Sequence, residues 1–376
     1  MTPSETLAAL EPQRIITLTH QAYHPEHILS LVEKERLSFE DFCALLSPSA
    51  EPFLPQIALR AQTLTLSHFG CVKQLYTPLY LSNACINQCL YCGFQARLNI
   101  PSIILNEKEM VDNYKFLAKL GFGHILLLTG ESPLLAGVDY IERAIILAKD
   151  HFPFVSLEVF PVSTSDYIRY AEAGANGITL YQETYDKTLY RSLHPKGPKS
   201  DYSFRLEGPE RALRAGIRQV GLGVLLGLSD WRLDSAFLGY HAFNLQQFYW
   251  QASIQVSFPR IQPILDAPHE IFQVSDKAFV QLICAFRLFL PQIGLTLSTR
   301  ESMDLRNKLI HLGITHISAG SNTRPGGYTR ASKDPGQFET QDNRSLSDVI
   351  HMLAQQGFDP VLKDWSPFFD LASKST

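Results

Sequence analysis

The sequence predicts a (β/α)8 barrel of the TIM type with a helical segment before it and a loop-rich segment after it. After about residue 70, short apolar segments alternate with amphipathic helical segments, and eight candidate strands can be counted. The chain has 376 residues, and a barrel of ~250 residues with an extension at each end accounts for this length. A doubly wound open sheet would produce a similar alternation, so this pattern leaves both architectures open.

The N-terminal segment is predicted to be helical because apolar residues recur at helical spacing in residues 25–35, 38–46 and 55–69. The sequence Ser-Phe-Glu-Asp at positions 38–41 indicates a helix start, with Ser38 as the capping residue and acidic residues in the first turn. We therefore predict three regions, namely residues 1–70 as a helical extension, 71–325 as the barrel and 326–376 as a C-terminal extension that packs on the barrel.

The barrel elements follow from the alternation of apolar runs and helical periodicity. The predicted strands are residues 74–81, 124–129, 155–160, 177–181, 219–226, 253–258, 294–298 and 316–319. The predicted helices between and after them are residues 107–120, 140–149, 165–173, 207–215, 233–250, 276–290, 302–311 and 346–355.

Composition and charge exclude several classes of protein. Hydrophobic residues make up 45% of the chain and charged residues 19%, which is typical of a globular protein with a large core. The formal net charge is −4 and no run of basic residues occurs, so a nucleic-acid partner is disfavoured. We find no apolar stretch of the ~18 residues that a membrane span requires and no secretory signal, so we expect no membrane partner and a cytoplasmic location.

Three cysteines, Cys85, Cys89 and Cys92, form a CxxxCxxC motif with Tyr91 directly before the last of them. Three thiolates on one short loop can hold three irons of a four-iron, four-sulfur cluster and leave the fourth iron open to a small ligand. This spacing is the signature of the radical S-adenosylmethionine (SAM) enzymes. The alternative is a structural zinc site, which needs four ligands drawn from Cys and His and for which Cys71 could be the fourth.

Polar residues follow most of the predicted strands, at the end where parallel barrels carry their functional groups. Each has an ordinary alternative, since an acidic residue after a strand is often a helix cap and a lone arginine is often in a surface ion pair. They are candidates because all of these strand ends are predicted to meet at one mouth of the barrel, together with the cysteine loop. They are Thr129, Gly130, Glu131, Glu183, Arg205, Arg260, Ser298, Arg300, Glu301 and Ser318.

Several longer motifs together resemble the 2-iminoacetate synthase family, the tyrosine lyases of bacterial thiazole biosynthesis. The motifs are CINQCLYCGF, HILLLTGE, TLYQETYDKTLYRSLHPKG, GLGVLLGLSDWR, SFPR, LSTRES and HISAGSNTRPGGY. The resemblance extends over nearly the whole chain, as far as residues 361–365. The cysteine motif is shared by very many enzymes, whereas YQETY, LSTRE and the glycine-rich motif near residue 326 are far more specific.

The resemblance implies a chemistry and a set of partners. In such enzymes a reduced [4Fe–4S] cluster cleaves SAM into methionine and a 5′-deoxyadenosyl radical, which takes a hydrogen atom from bound L-tyrosine. The Cα–Cβ bond of tyrosine then breaks and yields 2-iminoacetate and p-cresol. The expected partners are thiazole synthase, which receives the iminoacetate, and a flavodoxin or ferredoxin type of reductant.

The resemblance also implies roles for the candidate residues. Cys85, Cys89 and Cys92 would hold the cluster, and Tyr91 would pack near the adenine of SAM. Residues 129–131 would hold the methionyl amino group, Arg205 its carboxylate, and Glu183 would lie near the ribose and the substrate.

For the substrate, Arg300 is expected to bind the tyrosine carboxylate, because a planar guanidinium can donate two parallel hydrogen bonds to it. Ser298, Glu301 and Ser318 are weaker candidates for the amino group of tyrosine or for support of the barrel. Arg260 is a candidate second contact to the substrate.

Other functions remain open alongside this one. The hydrogenase-maturation tyrosine lyases carry a C-terminal cysteine motif for a second cluster, whereas the only cysteine after Cys92 here is Cys284. Enzymes like biotin synthase need further cluster ligands inside the barrel, which are not visible in this sequence. A related single-cluster lyase of aromatic amino acids and, from a different class, a non-catalytic metal-binding scaffold are the remaining alternatives.

Overall fold

A computed structural model describes residues 2–262, 272–330 and 336–362 of the chain. Eight parallel strands form a closed barrel there, because the first strand pairs with both the second and the eighth. The barrel is therefore confirmed and the open-sheet alternative is wrong. The strands are β1 (Val72–Ser82), β2 (His124–Thr129), β3 (Phe154–Glu158), β4 (Gly177–Glu183), β5 (Gln219–Val224), β6 (Ser253–Ser257), β7 (Gly294–Leu297) and β8 (His316–Ser318).

Helices connect the strands on the outside of the barrel, and most begin and end within two or three residues of the predicted positions. Two short helices after β4, Lys187–Leu193 and Tyr202–Leu206, were not predicted. Helices of only five to seven residues show too little periodicity to be recognised in a sequence. The helices after β1 are α6 (Glu107–Lys119), α7 (Val138–Ala148), α8 (Thr164–Ala173), α9 (Lys187–Leu193), α10 (Tyr202–Leu206), α11 (Gly208–Arg214), α12 (Trp231–Phe248), α13 (Asp276–Phe289), α14 (Met303–Leu309) and α15 (Leu346–Gln355).

The third strand ends earlier than predicted, and this changes which side chains reach the end of the barrel. The prediction ran the strand to residue 160 because Val159 and Phe160 are apolar, whereas β3 ends at Glu158. Val159 and Phe160 are buried in the connection that follows. The carboxylate of Glu158 is thereby placed at the carboxyl end of the barrel with the residues of the other strand ends.

The N-terminal segment is helical, as predicted, and begins with two further helices that the periodicity did not show. Ser38 caps its helix with Asp41 in a reciprocal capping box, as the sequence indicated. Buried apolar side chains of the N-terminal helices belong to the same hydrophobic cluster as those of the barrel. The helices are α1 (Pro3–Ala8), α2 (Pro12–His20), α3 (Pro25–Glu33), α4 (Phe39–Leu46) and α5 (Leu54–Phe69).

The contact between the N-terminal helices and the barrel is centred on Phe42 of α4. Its ring stacks on Phe289 with centroids 4.5 Å apart and meets Phe286 edge to face at 5.0 Å, both on α13. Because Phe42 is fully buried, the N-terminal helices are packed into the protein core rather than attached at its surface.

The C-terminal segment returns to the amino-terminal end of the barrel. After α15 a short strand, β9 (Asp359–Val361), pairs in parallel with the first residues of β1, which the sequence did not predict. Residues 331–335 and 363–376 of the predicted C-terminal extension lie outside the described residues. In the part that is described, every helix is too short or too polar to cross a lipid bilayer.

Phe42→Ala should lower the free energy of unfolding by about 3 kcal/mol or more, because it removes a buried ring and leaves a cavity between α4 and α13. Urea denaturation followed by circular dichroism measures this change. Leu59→Ala is the matched control, since Leu59 is 65% exposed, and its effect should stay within ~0.5 kcal/mol. Equal effects of both substitutions would contradict the shared core.

Candidate active site

The cysteine motif lies in the irregular loop that follows β1, and neighbouring connections hold this loop in place. The backbone N–H of Ile86 donates to the carbonyl of Glu131 after β2 (2.9 Å), and that of Leu90 donates to the carbonyl of Leu193 at the end of α9 (3.1 Å). The loop is therefore fixed from two sides by backbone hydrogen bonds, although it has no regular secondary structure beyond a turn.

Asn87, inside the motif, joins three segments. Its side-chain Nδ2 donates to Glu131 Oε2 (2.6 Å), its Oδ1 accepts from the backbone N–H of Lys199 (2.9 Å), and its carbonyl accepts from the N–H of Ala96 (2.9 Å). The side chain is buried, so these hydrogen bonds are shielded from competition by water. Asn87 thus sets the distance between the cysteine loop and the connections after β2 and β4.

The three thiols of the motif are free and are shielded to different degrees. Cys89 is buried, whereas Cys85 and Cys92 are half-buried. Burial raises the pKa of the Cys89 thiol to about 12, and the neighbouring thiols of Cys92 and Cys85 add to this rise while Lys199 opposes it. A negatively charged thiolate at Cys89 is therefore disfavoured unless a cation is bound next to it, and the irons of a cluster would supply that positive charge.

The zinc alternative finds no support. Cys71 precedes β1, and an 11-residue strand separates it from the motif, which corresponds to roughly 35 Å along the barrel. Among the described residues, no three His, Cys, Asp or Glu side chains are grouped as a single metal ion requires. The fourth zinc ligand that the sequence offered therefore lies at the wrong end of the barrel.

Gly130, directly after β2, lets the backbone pass close to the cysteine loop. A Cβ atom at this position would lie 2.3 Å from the carbonyl oxygen of Ala84 and 3.1 Å from Cβ of Cys85. Any side chain here would have to push the first cysteine of the motif away. The glycine is thus required by a backbone contact with the cysteine loop.

A cavity of about 950 Å³, including its open mouth, lies at the carboxyl ends of the strands. Of the predicted site residues, the cavity is lined by Tyr91, Cys92, Glu183, Ser298, Arg300 and Ser318, and the walls also include Glu158, Lys199, Gln337 and Phe338. The cysteine loop and the end of β7 thus face the same space. This is the position in which barrel enzymes bind their ligands.

Glu183 reaches the cavity through an irregular backbone. It has φ of +72°, in the left-handed region, and the pairing of β4 with β5 shifts by one residue between Tyr181 and Glu183. Its carboxylate pairs with Lys199 Nζ at 2.6 Å. Burial alone would raise the pKa of Glu183, but the positive charges of Lys199 and Arg205 outweigh burial and hold that pKa below its usual value.

The ring of Tyr91 is fixed from behind by a histidine. The phenol of Tyr91 donates to His194 Nε2 (2.7 Å), and His194 Nδ1 donates to the carbonyl of Tyr190 (2.7 Å). Burial lowers the pKa of His194 to about 3, so the imidazole is neutral and Nε2 can accept. Lys199 Nζ lies 5.5 Å from the centre of the Tyr91 ring on the cavity side.

Besides Arg260 and Glu301, six predicted residues do not line this cavity, namely Cys85, Cys89, Thr129, Gly130, Glu131 and Arg205. The Thr129 hydroxyl is buried and has no hydrogen-bond partner among the described residues. Arg205 Nε donates to the carbonyl of Tyr181 (2.6 Å). Burial by itself would lower the pKa of the Arg205 guanidinium, but its neighbours, among them Glu183 and Glu131, outweigh burial and raise that pKa. An unpartnered donor and a buried cation beside the cysteine loop fit a zwitterionic ligand such as SAM.

Arg300 is free to bind an anion. Its guanidinium lies 3.5 Å above the centre of the Phe338 ring, and no carboxylate is within ion-pair distance of it among the described residues. Ser298 accepts from the backbone N–H of Arg300 (3.3 Å) and thereby holds the turn after β7. Stacking fixes the guanidinium plane while leaving its N–H groups exposed to the cavity.

Glu301 and Arg260 are not brought to the cavity. Arg260 Nε lies 3.1 and 3.0 Å from the two carboxylate oxygens of Glu301, and Arg260 Nη1 donates to Asp276 Oδ1 (2.8 Å). Glu301 is only 2% exposed, and a buried carboxylate needs such a partner. The pair therefore ties the end of β6 to the end of β7, below the surface of the site.

Sequence reasoning missed several residues of the cavity wall. Glu158 was overlooked because the predicted third strand continued to residue 160. If the strand had been predicted to end at Glu158, this residue would have been a candidate like the polar residues at the other strand ends. Lys199 lies just after the LHPKG motif, but a lysine in a polar loop gives no signal by itself. Gln337 and Phe338 come from a distant connection, and only tertiary folding brings them over the barrel.

Comparisons with known proteins identify the family of this chain. Residues 79–237 match the family model of the Radical SAM superfamily, and residues 257–359 match that of the Biotin and Thiamin Synthesis associated domain. The chain is 42% identical to the 2-iminoacetate synthase of Escherichia coli (strain K12) and 43% identical to that of Salmonella typhimurium (strain LT2), with 90% of each chain covered in both cases. The chain belongs to the 2-iminoacetate synthase family.

The fold of this 2-iminoacetate synthase family member is also similar to a solved structure. The [FeFe]-hydrogenase maturase HydG from Carboxydothermus hydrogenoformans superposes with a TM-score of 0.83 at 30% identity, over 96% of this chain and 83% of that chain. Cys284, the only cysteine after Cys92, is buried within α13. A second cluster held by cysteines after Cys92 would need more than this one cysteine. The predicted resemblance to the 2-iminoacetate synthase family is confirmed by the identity to the two bacterial relatives.

Gly130→Ala should reduce the iron and sulfide bound after anaerobic reconstitution to below about half of the wild-type content, because the added Cβ displaces the cysteine loop. Iron and acid-labile sulfide per chain are the measurements. Gly216→Ala is the control. Gly216 has a positive φ of +90°, which strains any added side chain, but no atom lies within 4 Å of the added Cβ, so the cysteine loop is not displaced. Full cluster content in Gly130→Ala would contradict the contact.

Proposed function

We propose that this chain is a 2-iminoacetate synthase, which splits the Cα–Cβ bond of L-tyrosine into 2-iminoacetate and p-cresol while SAM is consumed to methionine and 5′-deoxyadenosine. The observation that carries the proposal is one cavity that has the cysteine loop on one side and, on the other, the guanidinium of Arg300, which has no carboxylate partner in the described part of the chain. The family membership and the names of the two bacterial relatives support it.

Cys85, Cys89 and Cys92 are the proposed ligands of a [4Fe–4S] cluster. They are the three thiols of the loop, and their CxxxCxxC spacing leaves one iron of the cluster open to SAM. When bound and reduced, the cluster with SAM supplies the 5′-deoxyadenosyl radical that removes a hydrogen atom from tyrosine. The protein's own part is to orient both ligands and to exclude water.

SAM would lie between the cysteine loop and the ends of β2 and β4. We propose that Tyr91 packs against its adenine, since His194 holds the ring on the cavity wall. Residues 129–131 would receive the amino group, and Arg205 would pair with the carboxylate. Glu183 would accept from the ribose hydroxyls, with Lys199 keeping its carboxylate ionised.

The substrate would lie across the cavity from the cysteine loop. We propose that Arg300 binds the carboxylate of L-tyrosine and that Ser298 holds the turn that presents Arg300. Ser318 lines the same wall. Glu301, which pairs with Arg260 outside the cavity, has a supporting role in this proposal, and Arg260 does not contact the substrate.

The proposal extends to the setting of the reaction. Thiazole synthase would take up the 2-iminoacetate, and a flavodoxin or ferredoxin would supply the electron. A reducing cytoplasm would keep the cysteines available for the cluster. We retain the division of the chain into residues 1–70, 71–325 and 326–376 as a proposal.

The test of the function is anaerobic reconstitution with iron and sulfide, followed by dithionite, SAM and L-tyrosine. The wild type should form both 5′-deoxyadenosine and p-cresol, which chromatography quantifies. Cys89→Ala should form neither, because it removes a cluster ligand. Cys71→Ser is the control with an exposed cysteine at the opposite end of β1, and it should keep both products. A wild-type enzyme that forms neither product would exclude the proposed reaction.

Arg300→Gln should raise the KM for L-tyrosine about 10-fold or more, because it removes the charged partner of the substrate carboxylate. Formation of 5′-deoxyadenosine without tyrosine should stay unchanged, since Arg300 follows β7 and is not among the residues proposed to hold SAM. Arg14→Gln, an exposed arginine on α2, is the control and should behave as the wild type. An unchanged KM in Arg300→Gln would assign the carboxylate to another residue.

A further inference from the structure

Glu158 is a carboxylate in the cavity that no role assigned so far explains. It ends β3, is half-buried, and has no hydrogen-bond or ion-pair partner among the described residues. Charged side chains in such surroundings are normally paired, because desolvation of a carboxylate is costly. An unpaired one in a ligand cavity indicates that the ligand supplies the partner.

The position of Glu158 relative to Arg300 suggests which part of a ligand it meets. In the closed barrel, β3 and β7 are four strands apart in either direction, so the two strand ends lie on opposite sides of the barrel axis. Glu158 also lines a second, smaller cavity deeper in the barrel, whereas Arg300 lines the upper one alone. A ligand held at Arg300 would therefore point its other end down and across, toward Glu158.

The surface between the two residues suits an aromatic ring. The rings of Tyr76 and Tyr80 and the side chains of Leu126 and Leu128 line the cavity on this side and belong to one apolar cluster. The phenol of Tyr80 is already committed, since it donates to Gln337 Oε1 (2.7 Å). The wall thus offers apolar contact to a ring, and Glu158 is the open acceptor at its far end.

We propose that Glu158 accepts a hydrogen bond from the phenol hydroxyl of bound L-tyrosine and thereby selects tyrosine over phenylalanine. This inference rests on the proposed function and adds a specificity-determining residue to it. Phenylalanine would leave the half-buried carboxylate without a donor, and sites built to bond a hydroxyl reject the analogue that lacks it.

The charges around Glu158 make the selection dependent on pH. Burial raises the pKa of Glu158 to about 7, the carboxylate of Glu183 adds to this rise, and Arg300, Lys199 and Arg205 oppose it. The other titratable groups that face it from neighbouring elements are neutral, because burial raises the pKa of the phenols and lowers that of the imidazole. These groups are Tyr76, Tyr80, Tyr181 and His124.

The sign of the effect follows from this pKa. Above about pH 7 the carboxylate of Glu158 is ionised and accepts strongly from the phenol, whereas below it the group carries a proton and the charge-assisted hydrogen bond is lost. The preference for tyrosine over phenylalanine should therefore decrease as the pH falls from about 8 to about 6.

The experiment measures dissociation constants of L-tyrosine and L-phenylalanine by calorimetry, with anaerobic, cluster-loaded enzyme and SAM but no reductant, so that no turnover occurs. Glu158→Gln should weaken tyrosine binding about 10-fold or more and change phenylalanine binding by less than about 3-fold. Its tyrosine preference should not depend on pH, and Glu158→Asp should restore part of that preference. Glu172→Gln, an exposed carboxylate on α8, is the control and should match the wild type.

Three outcomes would overturn the inference. Equal weakening of both amino acids would assign Glu158 to the ammonium group that they share. Unchanged tyrosine binding in Glu158→Gln would leave the residue without a substrate role. Loss of SAM affinity in this variant would indicate a structural role instead. The proposed function is tested separately by p-cresol formation in the wild type. If the wild type forms p-cresol with dithionite but Glu158→Gln binds tyrosine normally, only the inference about Glu158 is refuted.

Discussion

The site depends on the hydrogen bonds that hold an irregular loop of three cysteines against the ends of two strands. Asn87 bonds to Glu131 and to the backbone of Lys199, and Gly130 lets the backbone after β2 lie against the first cysteine. Because a loop without helix or strand has no rigidity of its own, these contacts decide where the thiols stand relative to the cavity. Loss of the contacts would move the cysteines without altering the barrel.

A second constraint is the concentration of charge at the barrel mouth. Glu183 is neutralised by Lys199 at close range, and Glu301 is neutralised by Arg260 outside the cavity, whereas Glu158 and Arg300 have no ion-pair partner among the described residues. In the part of the chain that the structure describes, Arg205, beside the cysteine loop, donates only to a backbone carbonyl. In the proposed complex, Glu158 and Arg300 meet opposite ends of the substrate, and this arrangement suits a zwitterionic amino acid with a hydroxyl at its far end.

Much of this architecture was predictable from local patterns. Strand and helix periodicity placed all eight barrel strands, and the capping serine at position 38 and the polar strand ends were also predicted correctly. The errors have physical causes. Val159 and Phe160 look like strand residues because they are buried, yet burial in a connection gives the same apolar signal. The sequence also could not show that Glu301 pairs with Arg260 outside the cavity, because position after a strand does not reveal whether a side chain already has a partner.

The sequence by itself determined the alternation of strands and helices, the cysteine motif and the family, since each depends on spacing along the chain. Tertiary structure alone decided which polar groups share one cavity. Lys199, Gln337 and Phe338 reach the site from connections far apart in sequence, and the closure of β1 onto β8 brings β3 and β7 face to face. Such placement depends on packing between distant segments, which no local periodicity encodes. The pairing of Glu183 and the isolation of Glu158 therefore became visible only in the folded chain.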